Sequence, residues 1–238
     1  MVGRRRRGAL LVVVPLVVAA CGGGSDPDGS GGASAPITSA TVRQAEPSPR
    51  EDVVSGLSIA QGGSAGGAPE PLVDLREIRS GGPPPDGIPS IDEPVFVRAA
   101  DVDFLADEEP VLALEIDGDA RAYPVQILVW HEIVNDTVAG TPVAVTYCPL
   151  CNSAVAYDRR VEGRVLEFGT SGLLWNSALV MYDRQTETLW SHFTGQGIVG
   201  VLTGVELATF PVATVPWSVW RDAHPGRTRA QPRHRLRS

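Results

Sequence analysis

The sequence contains no lysine: all 20 basic residues are arginine. That absence fits a GC-rich coding bias and says little about function. It has no second CxxC, since its three cysteines are Cys21, Cys148 and Cys151. A four-cysteine zinc ribbon is therefore excluded. No internal repeat is visible. No apolar run is long enough to span a bilayer comfortably: the N-terminal one has about a dozen residues, where a spanning helix needs about 20. HEIVND (131–136) lacks a second histidine at i+4, so a zincin site is excluded. GTSGLL (169–174) matches neither a nucleophile elbow nor a phosphate loop by spacing.

What is present begins with MVGRRRRGALLVVVPLVVAA (1–20). Four arginines, an apolar stretch and small residues make a signal peptide. The ending VVAAC resembles a lipobox. Cleavage before Cys21 and lipid attachment there are expected, which places the protein on the extracytoplasmic face of the cell membrane. The four arginines also suit a twin-arginine route. Residues 21–70 are rich in Gly, Ser, Ala and Pro with no sustained period, as in a flexible tether. About 50 such residues reach roughly 40 Å. Without Arg4–Arg7 the chain carries 16 Arg against 28 acids, near −12. Residues 21–224 hold 11 of those Arg, which brings that portion near −17. An acidic body argues against nucleic acid as a partner.

Folded sequence is expected over 71–225. SGGPPPDGIPSIDEP (80–94) reads as a turn-rich segment laid over the domain surface. VLALEIDGDARAYP (111–124) alternates around Asp117-Gly118, a hairpin signal. PVQILVWHEIVND (124–136) reads as a helix ending at Asn135-Asp136. Hairpins are expected at 153–168, turning at Glu162-Gly163, and at 178–193, turning near Gln185-Thr186. Further strands are expected in 197–212, and a short helix in PWSVWRDAHPG (216–226). The sum is an α+β, β-rich single domain of short antiparallel strands with two short helices. The basic stretch 226–238 differs from everything before it. It cannot supply a core element, and a truncation or frame shift would explain it.

The segments SGGPPPDGIPSIDEP, EPVLALEIDGDARAYPVQIL, WHEIVNDTVAGTPVAVTYCPLC, FGTSGLLWNSALVMYDRQTETLW and GIVGVLTGVEL, with the later tryptophans and HP, resemble the family called domain of unknown function 3179. The resemblance covers about residues 72–225. It implies that CPLC is the hallmark. It also implies redox chemistry, because some relatives carry selenocysteine at one of the two positions. Two departures stand out. Members resembling this chain usually carry Gln where His192 stands, so the resemblance does not promote His192. They also continue past HP with further motifs.

Chemistry centres on Cys148 and Cys151. Outside the cytoplasm two such thiols tend to be oxidised or metal-bound. As a staple the pair is poor, because a disulfide across so short a loop stabilises little. The strand-like sequence on both sides places CPLC at the tip of a strand–turn–strand, unlike the helix N-terminus of thioredoxin. The leading reading is thiol–disulfide exchange with a protein or small thiol partner, with Cys148 attacking by analogy to other CxxC chemistry. His131 is expected nearby, on a helix face shared with Asn135. A second reading is a zinc or copper site built from Cys148, Cys151 and His131. His192 and His224 are weaker ligand candidates, and His234 lies in the tail. A third is a non-catalytic binding domain shaped by the CPLC loop. Glu132 and Asp136 read as capping or solvated carboxylates, and FGTSG (168–172) as a plain turn. Tyr182, Asp183, Arg184 and Trp190 read as the core face and turn of a hairpin.

Overall fold

A computed structural model describes residues 68–225 and the backbone of residues 229–230. The expected signal peptide, Cys21 and most of the expected tether lie outside the described residues, as do 226–228 and 231–238. No helix among the described residues is long and apolar enough to cross a membrane.

In chain order the elements are β1 (Ile78–Ser80), β2 (Val97–Arg98), β3 (Pro110–Ile116), β4 (Asp119–Pro124), α1 (Val125–His131), β5 (Ile133–Val138), β6 (Thr141–Cys148), β7 (Ser153–Asp158), β8 (Arg160–Val161), β9 (Arg164–Val165), β10 (Phe168–Trp175), β11 (Ala178–Asp183), β12 (Leu189–Ser191), β13 (Gly197–Val199), β14 (Thr209–Phe210), β15 (Val212–Pro216), α2 (Trp217–Ala223) and β16 (Arg229–Ala230). The strands form three larger sheets, ordered β1-β10-β11-β12-β13, β14-β7-β6-β5 and β15-β3-β4-β16-β2, with β8-β9 as a separate hairpin. Pairing is antiparallel except between β16 and β4. The β-rich α+β expectation holds, and so do the hairpin turns at Asp117-Gly118 and Glu162-Gly163. In both turns the two central residues have positive φ, at 47° and 79° and at 49° and 78°. That is the geometry which matches a two-residue loop to strand twist.

The sheet containing β6 and β7 positions the site, because its two faces meet different cores. Val143, Val145 and Tyr147 of β6, with Ala156 of β7, pack into a cluster with Leu112, Tyr123, Val125 and Leu128. Ala144 and Cys148 of β6, with Tyr157 of β7, pack on the other side against Phe168, Leu179, Met181 and Trp190. Alternation along a strand sends successive side chains to opposite faces, so a strand between two cores is buried throughout.

That burial explains one correction. The helix read over 124–136 stops at His131. Glu132 takes φ +56°, and the chain continues as β5 with Ile133, Val134, Asn135 and Asp136 all buried. Asn135 is thus on a strand, not on a helix face with His131. Its side chain accepts from the Phe168 amide at 2.9 Å and donates to the Phe168 carbonyl at 2.8 Å, joining β5 to β10 as a strand partner would. Asp136 is not solvated: it accepts from Arg121 Nη1 at 2.6 and 2.7 Å, from the Tyr123 hydroxyl at 2.7 Å and from the Thr137 amide at 2.6 Å.

Two other segments differ from expectation. FGTSG is not a turn but the start of β10, with a bulge between Thr170 and Leu173 and with Thr170 and Ser171 buried. The Ser171 hydroxyl donates to the Val180 carbonyl at 2.5 Å. Residues 229–230, beyond the expected end of the domain at 225, form β16 between β4 and β2. Backbone pairing needs no apolar side chain, so composition alone could not exclude it.

The turn-rich segment does lie across the domain. Ile91 pairs in parallel with Val134. Arg184 binds Asp86 at 3.1 Å, Asp92 at 2.8 Å and the Ser90 hydroxyl at 2.8 Å, and Tyr182 donates to Asp86 at 2.5 Å. Gly172, at φ +73°, lies beneath this strap, where any Cβ would overlap the Pro83 carbonyl.

Candidate functional site

β6 and β7 form a hairpin in which Cys148 pairs with Ser153 and Thr146 with Val155. The residues Pro149 to Asn152 make the turn. Asn152 adopts φ +48°, and the Tyr147 hydroxyl donates to its side-chain oxygen at 2.8 Å. CPLC therefore sits on a strand–turn–strand tip, as the flanking alternation predicts, and no helix follows it.

The two cysteines are free thiols in unlike surroundings. Cys148 is 1% exposed, whereas Cys151 is exposed on the turn. Burial pushes the Cys148 thiol up, and its contact with the Cys151 sulfur adds to this. The backbone of Leu179 and of Cys151 at the sulfur pulls it partly back. The exposure pattern runs against an attacking Cys148: the accessible sulfur belongs to Cys151.

Three polar side chains continue inward from Cys151. Its Sγ lies 3.1 Å from the Ser153 hydroxyl. That hydroxyl lies 3.0 Å from His192 Nε2. His192 Nδ1 lies 3.2 Å from the Thr146 hydroxyl, which donates its own proton to the Val155 carbonyl at 2.9 Å. With that proton committed, Thr146 can only accept from His192, so Nδ1 carries the hydrogen and Nε2 is an acceptor. Ser153 then donates to Nε2, and its oxygen is left to accept from the Cys151 thiol, which also faces the Cys148 carbonyl at 3.9 Å. His192 is fully buried just after β12, and its carbonyl accepts from the Tyr157 hydroxyl at 2.7 Å. Burial lowers its pKa to about 4, against a smaller opposing effect of the Ser153 backbone, so the ring is neutral near pH 7. Phe193 packs edge-on to it, with centroids 5.4 Å apart.

His131, the support expected from the sequence, contacts the Pro89 carbonyl through Nδ1 at 2.7 Å. It anchors the surface strap at the end of α1. Among the described residues no three His, Cys, Asp or Glu side chains group so as to hold a metal ion. The set Cys148, Cys151 and His131 is therefore not assembled. His224 ends α2, tilted against the Trp220 ring at 5.0 Å between centroids and near Glu115 at 3.6 Å. Glu132, whose carbonyl accepts from the Tyr147 amide at 2.7 Å, is pushed up to about 7 by burial.

Ser153 and Thr146 are the residues that sequence reasoning missed, and His192 is one that it placed below His131. Thr146 and Ser153 sit two residues outside the CPLC ends, on the strand face shared with Cys148, and that period was readable. His192 is 39 residues beyond Ser153, and no local pattern connects them.

This fold and site define a β-rich domain whose two-cysteine hairpin runs between two cores and ends in an exposed turn. A family model described as "Protein of unknown function (DUF3179)" matches residues 85–229. The chain belongs to that family. No curated protein and no solved structure matches it.

Proposed function

We propose that the domain performs thiol–disulfide exchange through Cys151 and Cys148, with Cys151 attacking. The observation that carries this is the asymmetry of the pair: one free thiol on an exposed turn, and one buried directly behind it. An accessible sulfur meets the substrate, and a shielded neighbour resolves the intermediate. Cys151 Sγ bonds to one sulfur of a substrate disulfide as the S–S bond breaks, and the other substrate sulfur leaves as a thiolate. Cys148 Sγ then bonds to Cys151 Sγ and releases the second thiolate. The substrate gains two electrons and the pair becomes a disulfide, which a dithiol reductant returns to thiols. A staple gains nothing comparable, because the β6–β7 ladder already closes this turn. We further propose that Cys21 carries a lipid anchor, so that the exchange takes place at the extracytoplasmic membrane surface with a protein or small thiol partner.

The test is a redox titration of the purified chain against glutathione, with bound metal measured alongside. A metal-free disulfide between Cys148 and Cys151 near −200 mV, in the oxidoreductase range, supports the reading. The Cys151→Ser variant should lose reduction of an insulin disulfide, while Cys148→Ser should trap a mixed disulfide at Cys151. Stoichiometric metal lost in Cys148→Ser would replace this reading with a metal site. Unchanged behaviour in both variants would leave a scaffold domain.

A further inference from the structure

We infer that His192 is the proton acceptor for Cys151, reached through the Ser153 hydroxyl and held in the accepting tautomer by Thr146. This rests on the thiol reading of the hairpin tip and deepens it by assigning where the proton goes.

The hydrogen-bond directions run one way. Thr146 spends its proton on the Val155 carbonyl at 2.9 Å, which fixes the hydrogen of His192 on Nδ1. Nε2 faces Ser153 at 3.0 Å, and Ser153 faces Cys151 at 3.1 Å. A nucleophile, a neutral base and a group orienting that base are the three parts that activated nucleophiles require. Here a hydroxyl is interposed between nucleophile and base. As Cys151 Sγ bonds to an electrophile, its proton passes to Ser153 Oγ and the Ser153 proton passes to Nε2. When the electrophile is a disulfide, the imidazolium returns the proton by the same route to the leaving thiolate. His192 is a positioning and proton-holding residue; Cys151 alone meets the substrate.

The resting thiol stays protonated on this account. The buried ring disfavours a standing imidazolium, so the proton moves only as the sulfur reacts. Two titratable groups on adjoining strands face the relay. Cys148 is on β6, and Tyr157 on β7 has its hydroxyl held up by burial and by Glu206. Glu132, between α1 and β5, is the nearby carboxyl hydrogen-bonded to β6 through its backbone. Burial and the Ser153 backbone are the influences on His192, and no charged side chain is among them.

The experiment is iodoacetamide labelling of the reduced full chain between pH 5 and pH 9, with the rate at Cys151 read by peptide mass spectrometry. Reading that one peptide removes any contribution from Cys21. An unassisted thiol reacts through its thiolate and gains about tenfold per pH unit below its pKa. With His192 accepting the proton, the wild-type rate should instead flatten into a shoulder at the acid end. His192→Gln and Ser153→Ala should each remove that shoulder, slowing Cys151 about tenfold at pH 5.5 and converging with wild type at pH 9. Glu132→Gln should keep the shoulder. Superimposable profiles for wild type and His192→Gln, or a uniform slowing with unchanged slope, would overturn the assignment, and so would a shoulder lost in Glu132→Gln. Circular dichroism melts verify folding, and Thr146→Ser, which keeps the hydroxyl, should retain the shoulder if folding is intact. Labelling requires no turnover, so a chain that shows the shoulder but reduces no disulfide loses the exchange reading and keeps the relay.

Discussion

Asp136 offers the sharpest test of the fold's energetics. Its side chain is 5% exposed and Arg121's is 9% exposed. The carboxylate takes two bonds from Arg121, one from Tyr123 and one from the Thr137 amide. Arg121 has other company: Asp119 at 2.9 Å, and the face of Phe96 at 4.7 Å from its ring centroid. Changing Asp136 to Asn removes the charge and turns an amide NH₂ toward either the guanidinium or the phenol. Removing one partner of a buried ion pair costs about 3–5 kcal/mol, because the other charge remains desolvated. Asp119, with 30% of its side chain exposed, is already committed and compensates only in part. The expected loss is about 3 kcal/mol, or roughly 10 °C in melting temperature for a domain of this size. Urea unfolding of wild type and variant, with equal m-values, measures it. The double variant Arg121→Met, Asp136→Leu should recover part of the loss, since two apolar groups of similar volume replace the buried ion pair, while the partly exposed Asp119 loses its Arg121 partner and the Tyr123 hydroxyl its acceptor. A loss below about 1 kcal/mol in Asp136→Asn, or a double variant as unstable as the two single changes combined, would refute the reasoning.

Two further outcomes follow from the same structure. Burial raises the Glu132 carboxyl to about 7, above its unfolded value, so the folded state holds its proton over a pH range where the unfolded chain has released it. Stability from this group is full below about pH 4 and is lost as pH rises through about 7. Glu132→Gln should therefore gain on wild type between pH 5 and pH 8 in parallel urea titrations, and a constant difference across that range would contradict the assignment. Gly172→Ala places a Cβ at φ +73° against the Pro83 carbonyl, which is backbone and cannot rotate away. It should cost more than about 1 kcal/mol and make the 83–91 strap more susceptible to limited proteolysis; an unchanged melting temperature would show that the strap is not tightly seated.

The strand–turn–strand at CPLC was legible because β-branched and aromatic residues flank it on both sides and because no helix-forming run follows Cys151. The hairpin turns were legible because Asp117-Gly118 and Glu162-Gly163 carry the residues that positive φ favours. The end of α1 was not. The change of direction falls on Glu132, at φ +56°, with neither Gly nor Pro to mark it. Beyond it β5 is covered on both faces, so the alternation that betrays a strand is absent, and its apolar residues suit a helix equally well. Asp136 looked solvated for a related reason: its partners Arg121 and Tyr123 lie on β4, and sequence distance conceals a pair that the sheets bring together. The site was half legible. CPLC announces itself, while His192 depends on where β12 ends beneath the hairpin. The structure puts His192, not His131, behind the thiols.

The register of β6 against β7 has a consequence for how this protein can vary. Cys148 opposite Ser153 leaves four residues in the turn, pinned by Tyr147 and Asn152. Surface loops usually absorb insertions and deletions. This one cannot, because a slip of one residue would turn Ser153 to the opposite face and away from both Cys151 and His192. Drift is thereby confined to residue identity at the tip, such as the exposed Leu150, while the length of the turn is held constant.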